Sequence, residues 1–199
     1  MRTVILGAVA VLVGFPVILL ATAAEAVQFL DKSDGAVVSS GDEREYLLYV
    51  PESYDGTRAV PLVISLHAAA MWPAQQLNLS RWNLLADADG FIVVYPSGRG
   101  LPKIWPDGLR AGLGRDVMFI GDLIDTITAR YSIDGSRIYV NGMSNGGGMA
   151  SLLSCHLSGR IAAVGLVAAV QLVELIFLCG EPTGTSDCVS RGRGSNGAL

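Results

Sequence analysis

Short apolar runs alternate with amphipathic stretches through the middle of the chain, and this alternation predicts strands separated by helices. The run Val60–Leu66 is mostly apolar, as expected for a strand buried on both faces of a sheet. Residues 116–131 predict an amphipathic helix, because apolar side chains recur at helical spacing at Val117, Ile120, Ile124 and Ile127. Further strands are predicted at 44–50, 91–95, 137–141 and 161–170, and further helices at 80–89 and 147–157.

The order of these elements predicts an α/β fold. Strands and helices alternate from Val60 onward, which indicates a doubly wound, mostly parallel sheet with helices on both faces. The polar residues 27–42, the stretch 67–78 and the Gly- and Pro-rich stretch 97–114 are predicted to be irregular. Active sites of such sheets lie at the carboxyl ends of the strands, so chemistry is expected in the loops there.

The N-terminal residues differ in pattern from the rest of the chain. Residues 4–24 hold no charge and are long enough to cross a bilayer as a helix. They also resemble a secretory signal, because Arg2 precedes an apolar stretch that ends in small residues. We therefore predict a signal peptide or membrane anchor at 1–26 and an extracellular protein, secreted or tethered. Cleavage is hypothesised near Ala24 or Val27, and an exported protein that still begins at Met1 would contradict it.

Composition narrows the function classes. The net charge is −4 and the basic residues form no patch, so nucleic-acid binding has no support. The three cysteines match no zinc spacing, and neither a metal nor a cofactor is predicted. In an oxidising compartment one cysteine pair would form a disulfide, and buried unpaired thiols are the alternative.

The most informative motif is Gly-Met-Ser-Asn-Gly at residues 142–146, between a predicted strand and a predicted helix. Glycine, any residue, serine, any residue, glycine in that setting is the nucleophile elbow of an α/β-hydrolase. Gly142 and Gly146 lack the Cβ atoms that would collide in so tight a turn, and Ser144 would stand exposed above the sheet. The alternative is a Gly-rich turn whose serine caps a helix.

A serine hydroxyl needs a base to take its proton, and no histidine of this chain is placed for that task. His156 lies on the same predicted helix as Ser144, about 18 Å further along its axis. His67 precedes the nucleophile, whereas the triad histidine of this fold follows it, so its expected task is to shape the loop that donates an oxyanion N–H. A direct role of His67 as the base is the alternative. Acids at Glu174, Glu181 and Asp187 follow no convincing strand, and those at Asp116, Asp122 and Asp125 are predicted to cap a helix or to face solvent.

Several stretches within residues 43–169 occur in a specific order and spacing. They are REYLLYVP at 44–51, PLVISLH at 61–67, RWN at 81–83 with LAD at 85–87, GFIVVYP at 90–96, ARYSID at 129–134, RIYVNGMSNGG at 137–147 and RIAAV at 160–164. In this order they resemble the polyhydroxybutyrate depolymerase-like esterases, α/β-hydrolases that include feruloyl and acetylxylan esterases. The resemblance implies hydrolysis of polyester, feruloyl or acetyl esters, with Ser144 as nucleophile and the N–H groups of Asn145 and Ala68 as oxyanion donors. It also implies a Cys155–Cys179 disulfide and an aromatic residue, Trp105, near the substrate cleft.

Two departures from the family pattern bear on activity. Members of the family usually have Gly at the position of Ala68. A glycine there predicts a backbone conformation that Ala resists. Members also continue past the Cys179 region with the triad Asp and His, so we expect an incomplete esterase domain at 27–170 and an atypical, disordered tail at 171–199. A frameshift, premature stop or gene fragment would produce this ending. The expected activity of the chain alone is weak or absent, and a non-catalytic ligand-binding protein or a membrane-anchored fragment is the alternative.

Overall fold

A six-stranded sheet with helices on both faces forms the body of the protein. The computed structural model describes residues 34–105 and 113–169. Its strands are β1 (Gly35–Ser39), β2 (Asp42–Tyr49), β3 (Val60–Leu66), β4 (Ile92–Pro96), β5 (Ile133–Met143) and β6 (Ala163–Val167). Its helices are α1 (Pro73–Ser80), α2 (Trp82–Asp89), α3 (Leu113–Arg130) and α4 (Asn145–His156).

The strand order is β1-β2-β4-β3-β5-β6. Strands β4, β3, β5 and β6 are parallel, and β1 and β2 extend one edge in antiparallel fashion. The predicted doubly wound, mostly parallel sheet is therefore confirmed. The carboxyl ends of β3 and β5 lie side by side, because Leu66 pairs with Gly142.

Alternate residues of the central strands enter two separate cores. In β3, Leu62 and Ile64 pack with α3 and α4 in the larger core, whereas Val63 faces the smaller core beside Ala86 of α2. The larger core also takes the apolar stripe of α3, including Ile120. Both faces of the sheet are thus covered, which explains why β3 and β4 are mostly apolar.

Two elements differ from the sequence prediction. Strand β1 forms within the stretch predicted to be irregular, joined to β2 by a turn in which Ser40 and Gly41 both have positive φ. Helix α1 forms where a loop was predicted. Pro73 occupies its first turn, and the Trp72 N–H donates to Gln75 Oε1 at 3.0 Å. The Ser-Gly pair and the proline are the local signals that identify these elements.

Asp116 is not the helix-capping or solvated acid that the sequence suggested. Its side chain is fully buried, and its Oδ1 lies 2.6 Å from Arg44 Nη2. The Arg44 guanidinium also donates to the Ser97 carbonyl at 3.1 Å and stacks over the Phe119 ring, 4.0 Å from its centroid. The pair joins β2 to α3, which packs on one face of the sheet. Asp125, by contrast, is exposed as predicted and pairs with Arg160.

Some predictions lie outside the described residues. These are the leader at 1–26, Cys179 and the tail at 171–199, so the domain boundaries stay predictions. Within residues 34–105 and 113–169, no helix has the length and apolar character needed to cross a membrane.

Candidate active site

Ser144 sits on the sharp turn between β5 and α4. Its backbone has φ 51° and ψ −115°, a conformation that L-residues rarely adopt. The turn is fixed on both sides, because the Ser144 N–H donates to the Val167 carbonyl at 2.8 Å and its carbonyl accepts from the Gly148 N–H at 3.0 Å. Ser144 is exposed and stands at the N-terminus of α4, where the helix dipole favours developing negative charge.

The two motif glycines are required by close backbone contact. A Cβ at Gly142 would overlap the Gly146 carbonyl. A Cβ at Gly146 would lie 2.5 Å from the carbonyl oxygens of both Leu66 and His67. Gly146 therefore brings the loop after β3 directly against the turn that carries Ser144.

Replacing Gly146 by Ala is expected to destabilise the protein by about 1–3 kcal/mol, because backbone atoms of β3 cannot move aside for the new methyl group. Gly148→Ala is the matched control on the same helix, since nothing lies within 4 Å of a Cβ there. That control should be neutral or stabilising by up to ~1 kcal/mol. Chemical denaturation of both variants measures the difference, and equal stabilities would contradict the packing argument.

His67 is buried at the end of β3 and both of its ring nitrogens are engaged. Its Nε2 accepts from the Gly98 N–H at 2.9 Å, and its Nδ1 lies 2.7 Å from the Ala68 carbonyl. Because Nε2 accepts, the neutral ring carries its proton on Nδ1 and donates it to that carbonyl. Burial lowers the pKa of His67 to about 4, with Lys103 as a minor like-charge contributor. His67 therefore braces two loops and is not free to deprotonate Ser144.

Ala68 accommodates its position without the backbone geometry that the family's glycine suggested. The positive-φ residues of the described chain include Ala70, with φ 60°, but not Ala68. The Ala70 N–H donates to the Lys103 carbonyl at 2.7 Å, and this bond secures the turn. The strained backbone conformation of this loop is therefore at Ala70, two residues after Ala68, the candidate oxyanion donor.

Asn145 and Trp105 form a two-sided clamp that sequence reasoning did not anticipate. Asn145 Oδ1 accepts from the Trp105 N–H at 2.7 Å, and Asn145 Nδ2 donates to the Trp105 carbonyl at 2.9 Å. The Trp105 indole N–H donates to the His67 carbonyl at 3.0 Å. Trp105 is only 1% exposed. Its place near a substrate cleft, which the resemblance implies, stays a prediction.

A second buried polar cluster lies on the same strands, closer to their middle. Ser65 Oγ donates to Asn141 Oδ1 at 2.9 Å, and Gln76 Nε2 donates to Ser65 Oγ at 3.0 Å. The cluster ties α1 to β3 and β5 near their carboxyl ends, since Ser65 lies one residue and Asn141 two residues before the last residue of its strand. It therefore helps to fix the two loops that the site uses.

The described residues hold no base for Ser144. His156 is exposed at the far end of α4, as the sequence predicted. A polar groove of about 630 Å³ lies elsewhere, with Arg44, Glu45, Arg99 and Lys103 among its walls. Ser144 does not line this groove. In the part of the chain that the structure describes, no three His, Cys, Asp or Glu side chains group as a metal site would require.

Cys155, near the end of α4, is disulfide-bonded. Cys179, the partner that the resemblance implies, lies outside the described residues, so that pairing stays a prediction.

Comparison with known proteins agrees with this architecture. The protein is 32% identical over 124 residues to a bifunctional acetylxylan esterase/xylanase of Neocallimastix patriciarum, a match that covers 62% of this chain and 17% of the relative. It is 33% identical over 122 residues to feruloyl esterase B of Piromyces equi, covering 60% of this chain and 23% of that protein. The chain thus spans less than a quarter of the length of either relative.

Solved structures and a family model complete the comparison. An acetyl xylan esterase from Aspergillus awamori superimposes with a TM-score of 0.61 at 21% identity, covering 68% of this chain and 52% of that one, which confirms the α/β-hydrolase fold. The model of the family described as esterase PHB depolymerase matches residues 44–195, well over half of the sequence. The chain therefore belongs to the esterase PHB depolymerase family.

Proposed function

We propose that this protein is a secreted serine esterase in which Ser144 attacks the carbonyl carbon of a carboxylic ester. The observation that carries the proposal is the exposed Ser144 on a strained turn, flanked by two glycines that admit no Cβ. Backbone strain of this kind persists where the surrounding structure enforces it, and it clusters at active sites. A serine that merely caps a helix needs no such geometry.

The proposed reaction is acyl transfer through a covalent intermediate. The Ser144 Oγ forms a bond to the ester carbonyl carbon while a base accepts its proton, and the alkoxy group leaves as an alcohol. Water then releases the acid and regenerates the hydroxyl. The N–H groups of Asn145 and Ala68 are the proposed donors to the oxyanion of each tetrahedral intermediate. Asn145 supports this role because it is the residue after the nucleophile, at the first position of α4.

The proposed substrates are polyester, feruloyl and acetyl esters. The names of the two relatives, an acetylxylan esterase and a feruloyl esterase, support the feruloyl and acetyl classes. Secretion is proposed from the uncharged stretch at residues 4–24, and the N-terminal sequence of the exported protein is its test.

The activity of the 199-residue chain is proposed to be low. The sequence has only two histidines, one braced beneath the loop after β3 and one at the far end of α4. A positioned general base contributes about 10²–10⁴-fold to such reactions. Without it, the remaining acceleration comes from the oxyanion donors and from substrate binding.

Imidazole in solution should rescue this activity, because it can accept the Ser144 proton in place of a triad histidine. We expect imidazole to raise the protein-dependent hydrolysis of p-nitrophenyl acetate on the order of tenfold. Ser144→Ala should lose both the basal rate and the rescue. The release of p-nitrophenol is followed by absorbance, with the reaction of imidazole alone subtracted.

Ser158→Ala is the matched control, since it removes an exposed serine outside the turn. It should keep the parent's imidazole-dependent rate. If Ser144→Ala also kept that rate, the assignment of the nucleophile would be wrong. If neither the parent nor Ser144→Ala hydrolysed the ester but both bound it in calorimetric titration, the protein would be better described as a non-catalytic binding protein.

A further inference from the structure

One peptide unit connects the Trp105 indole to the candidate oxyanion hole. The carbonyl that accepts from the indole N–H belongs to His67, and it shares its peptide plane with the N–H of Ala68. In a trans peptide, the C=O and the N–H point in opposite directions. A bond that holds the oxygen of this unit therefore sets the direction in which the Ala68 N–H points.

The same tryptophan is held by the residue that follows the nucleophile. Both backbone polar groups of Trp105 are bound by the side-chain amide of Asn145, at 2.7 and 2.9 Å. The two candidate donors, the N–H groups of Ala68 and Asn145, are thus linked through one residue. The link is independent of the sheet, because Trp105 lies on the segment after β4.

Burial makes this link effective. Trp105 is 1% exposed and Ala68 is 7% exposed, so water does not compete well for the His67 carbonyl. The Trp105 ring also packs against the His67 ring, with centroids 5.1 Å apart. A bond accepted by a carbonyl further polarises its peptide unit, which makes the N–H of that unit a better donor.

We propose that Trp105 is a positioning residue for the oxyanion hole. Its indole N–H orients and polarises the His67–Ala68 peptide, and the side chain of Asn145 holds Trp105 in place beside the turn that carries Ser144. The proposal rests on the proposed function, since an oxyanion hole matters only if Ser144 is a nucleophile. Trp105 itself does not touch the substrate.

Phenylboronic acid tests the proposal without needing a base in the protein. Its boron bonds to the serine Oγ, the hydroxyl proton passes to the buffer, and the tetrahedral anion that forms mimics the reaction intermediate. Trp105→Phe removes the indole N–H and keeps an aromatic ring, and it should weaken boronate binding by about tenfold, a fraction of the 10²–10³ attributed to a whole oxyanion donor. Binding is measured by calorimetry at a temperature where near-UV circular dichroism shows each variant folded.

Trp82→Phe is the matched control, because Trp82 packs against Phe91 in the smaller core. It should bind the boronate as the parent does. In nitrogen-15 spectra, Trp105→Phe should shift the Ala68 amide signal and Trp82→Phe should not. The amide shift reports the loss of the hydrogen bond, and boronate affinity reports its consequence for the site. A purely structural role of Trp105 would lower stability and leave boronate affinity unchanged in the folded protein.

If Trp105→Phe fails to fold, benzothienylalanine at position 105 replaces the N–H by sulfur with the bicyclic shape retained, and the same loss is expected. Parent-like binding by either variant, with binding lost in Ser144→Ala, would overturn the role of Trp105 and leave the proposed function standing. Parent-like binding by Ser144→Ala would instead remove the nucleophile assignment, and the role of Trp105 with it.

Discussion

Asp116→Asn is expected to destabilise the fold by about 3–5 kcal/mol, because it leaves the Arg44 guanidinium buried without its counter-charge. The side chains of Arg44 and Asp116 are 6% and 0% exposed, and their charged atoms lie 2.6 Å apart. Burial lowers the pKa of Arg44, and the charge of Asp116 opposes this shift. The free energy of unfolding, from urea titration of parent and variant, gives the magnitude.

Asp125→Asn is the matched control for this prediction. Asp125 also pairs with an arginine, Arg160, at 2.5 Å, but its side chain is 68% exposed. Solvent screening makes such a pair worth about 0–1 kcal/mol, so this variant should stay close to the parent. The double variant Arg44→Met with Asp116→Leu should recover much of the loss, because it removes both charges of the buried pair. Arg99, which lies 3.5 Å from Asp116, keeps its ion pair with Asp42 at 2.9 Å. Equal effects of the two Asp→Asn changes would show that burial does not govern these pairs.

Acid should selectively destabilise the protein through His67. Burial lowers its pKa from 6.5 to about 4 in the folded state. Between these values the unfolded chain binds the proton and the folded chain does not, so stability rises with pH across this window. The contribution is fully present above pH 6.5 and is lost as the pH falls toward 4, with a total of about 3 kcal/mol.

The measurement is the unfolding free energy as a function of pH for the parent and for His67→Asn. The asparagine Nδ2 can replace the histidine Nδ1 as donor to the Ala68 carbonyl. The shorter side chain places no acceptor where Nε2 accepts from the Gly98 N–H, and it does not titrate. The variant should therefore be less stable at neutral pH and should show a shallower fall between pH 6.5 and 4. His156→Asn, which replaces the exposed histidine, should keep the steep fall. A parent-like slope in His67→Asn would contradict the burial argument.

Much of the fold could be predicted because its signals are local. Strand β3 was predicted at its observed bounds, since a mostly apolar run indicates burial on both faces. The apolar stripe of α3 reports its contact with the sheet in the same way. Helix α1 was missed because its eight residues carry a weak apolar pattern, and β1 was missed because its turn signal stands within a polar stretch.

The features of the candidate site also divide into those with a local sequence signal and those without one. The motif around Ser144 was recognisable because the turn demands glycines at fixed offsets, and the structure places a strained, exposed serine there. The brace around His67 was not recognisable in detail. Its partners Gly98 and Trp105 lie 31 and 38 positions away along the chain, in a stretch that looked irregular. The depressed pKa of His67 follows from that burial and has no signature in the sequence.

By itself, the sequence determined the α/β class, the order of the central strands and helices along the chain, and the serine of the tight Gly-Met-Ser-Asn-Gly turn, because periodicity and turn chemistry act over a few neighbouring residues. Only the tertiary structure decided which polar side chains are buried together. Arg44 of β2 meets Asp116 of α3, and Asn145, Trp105 and His67 meet at the strand ends. These contacts join residues that are distant along the chain, and they form only when the sheet brings β2 beside β4 and β3 beside β5.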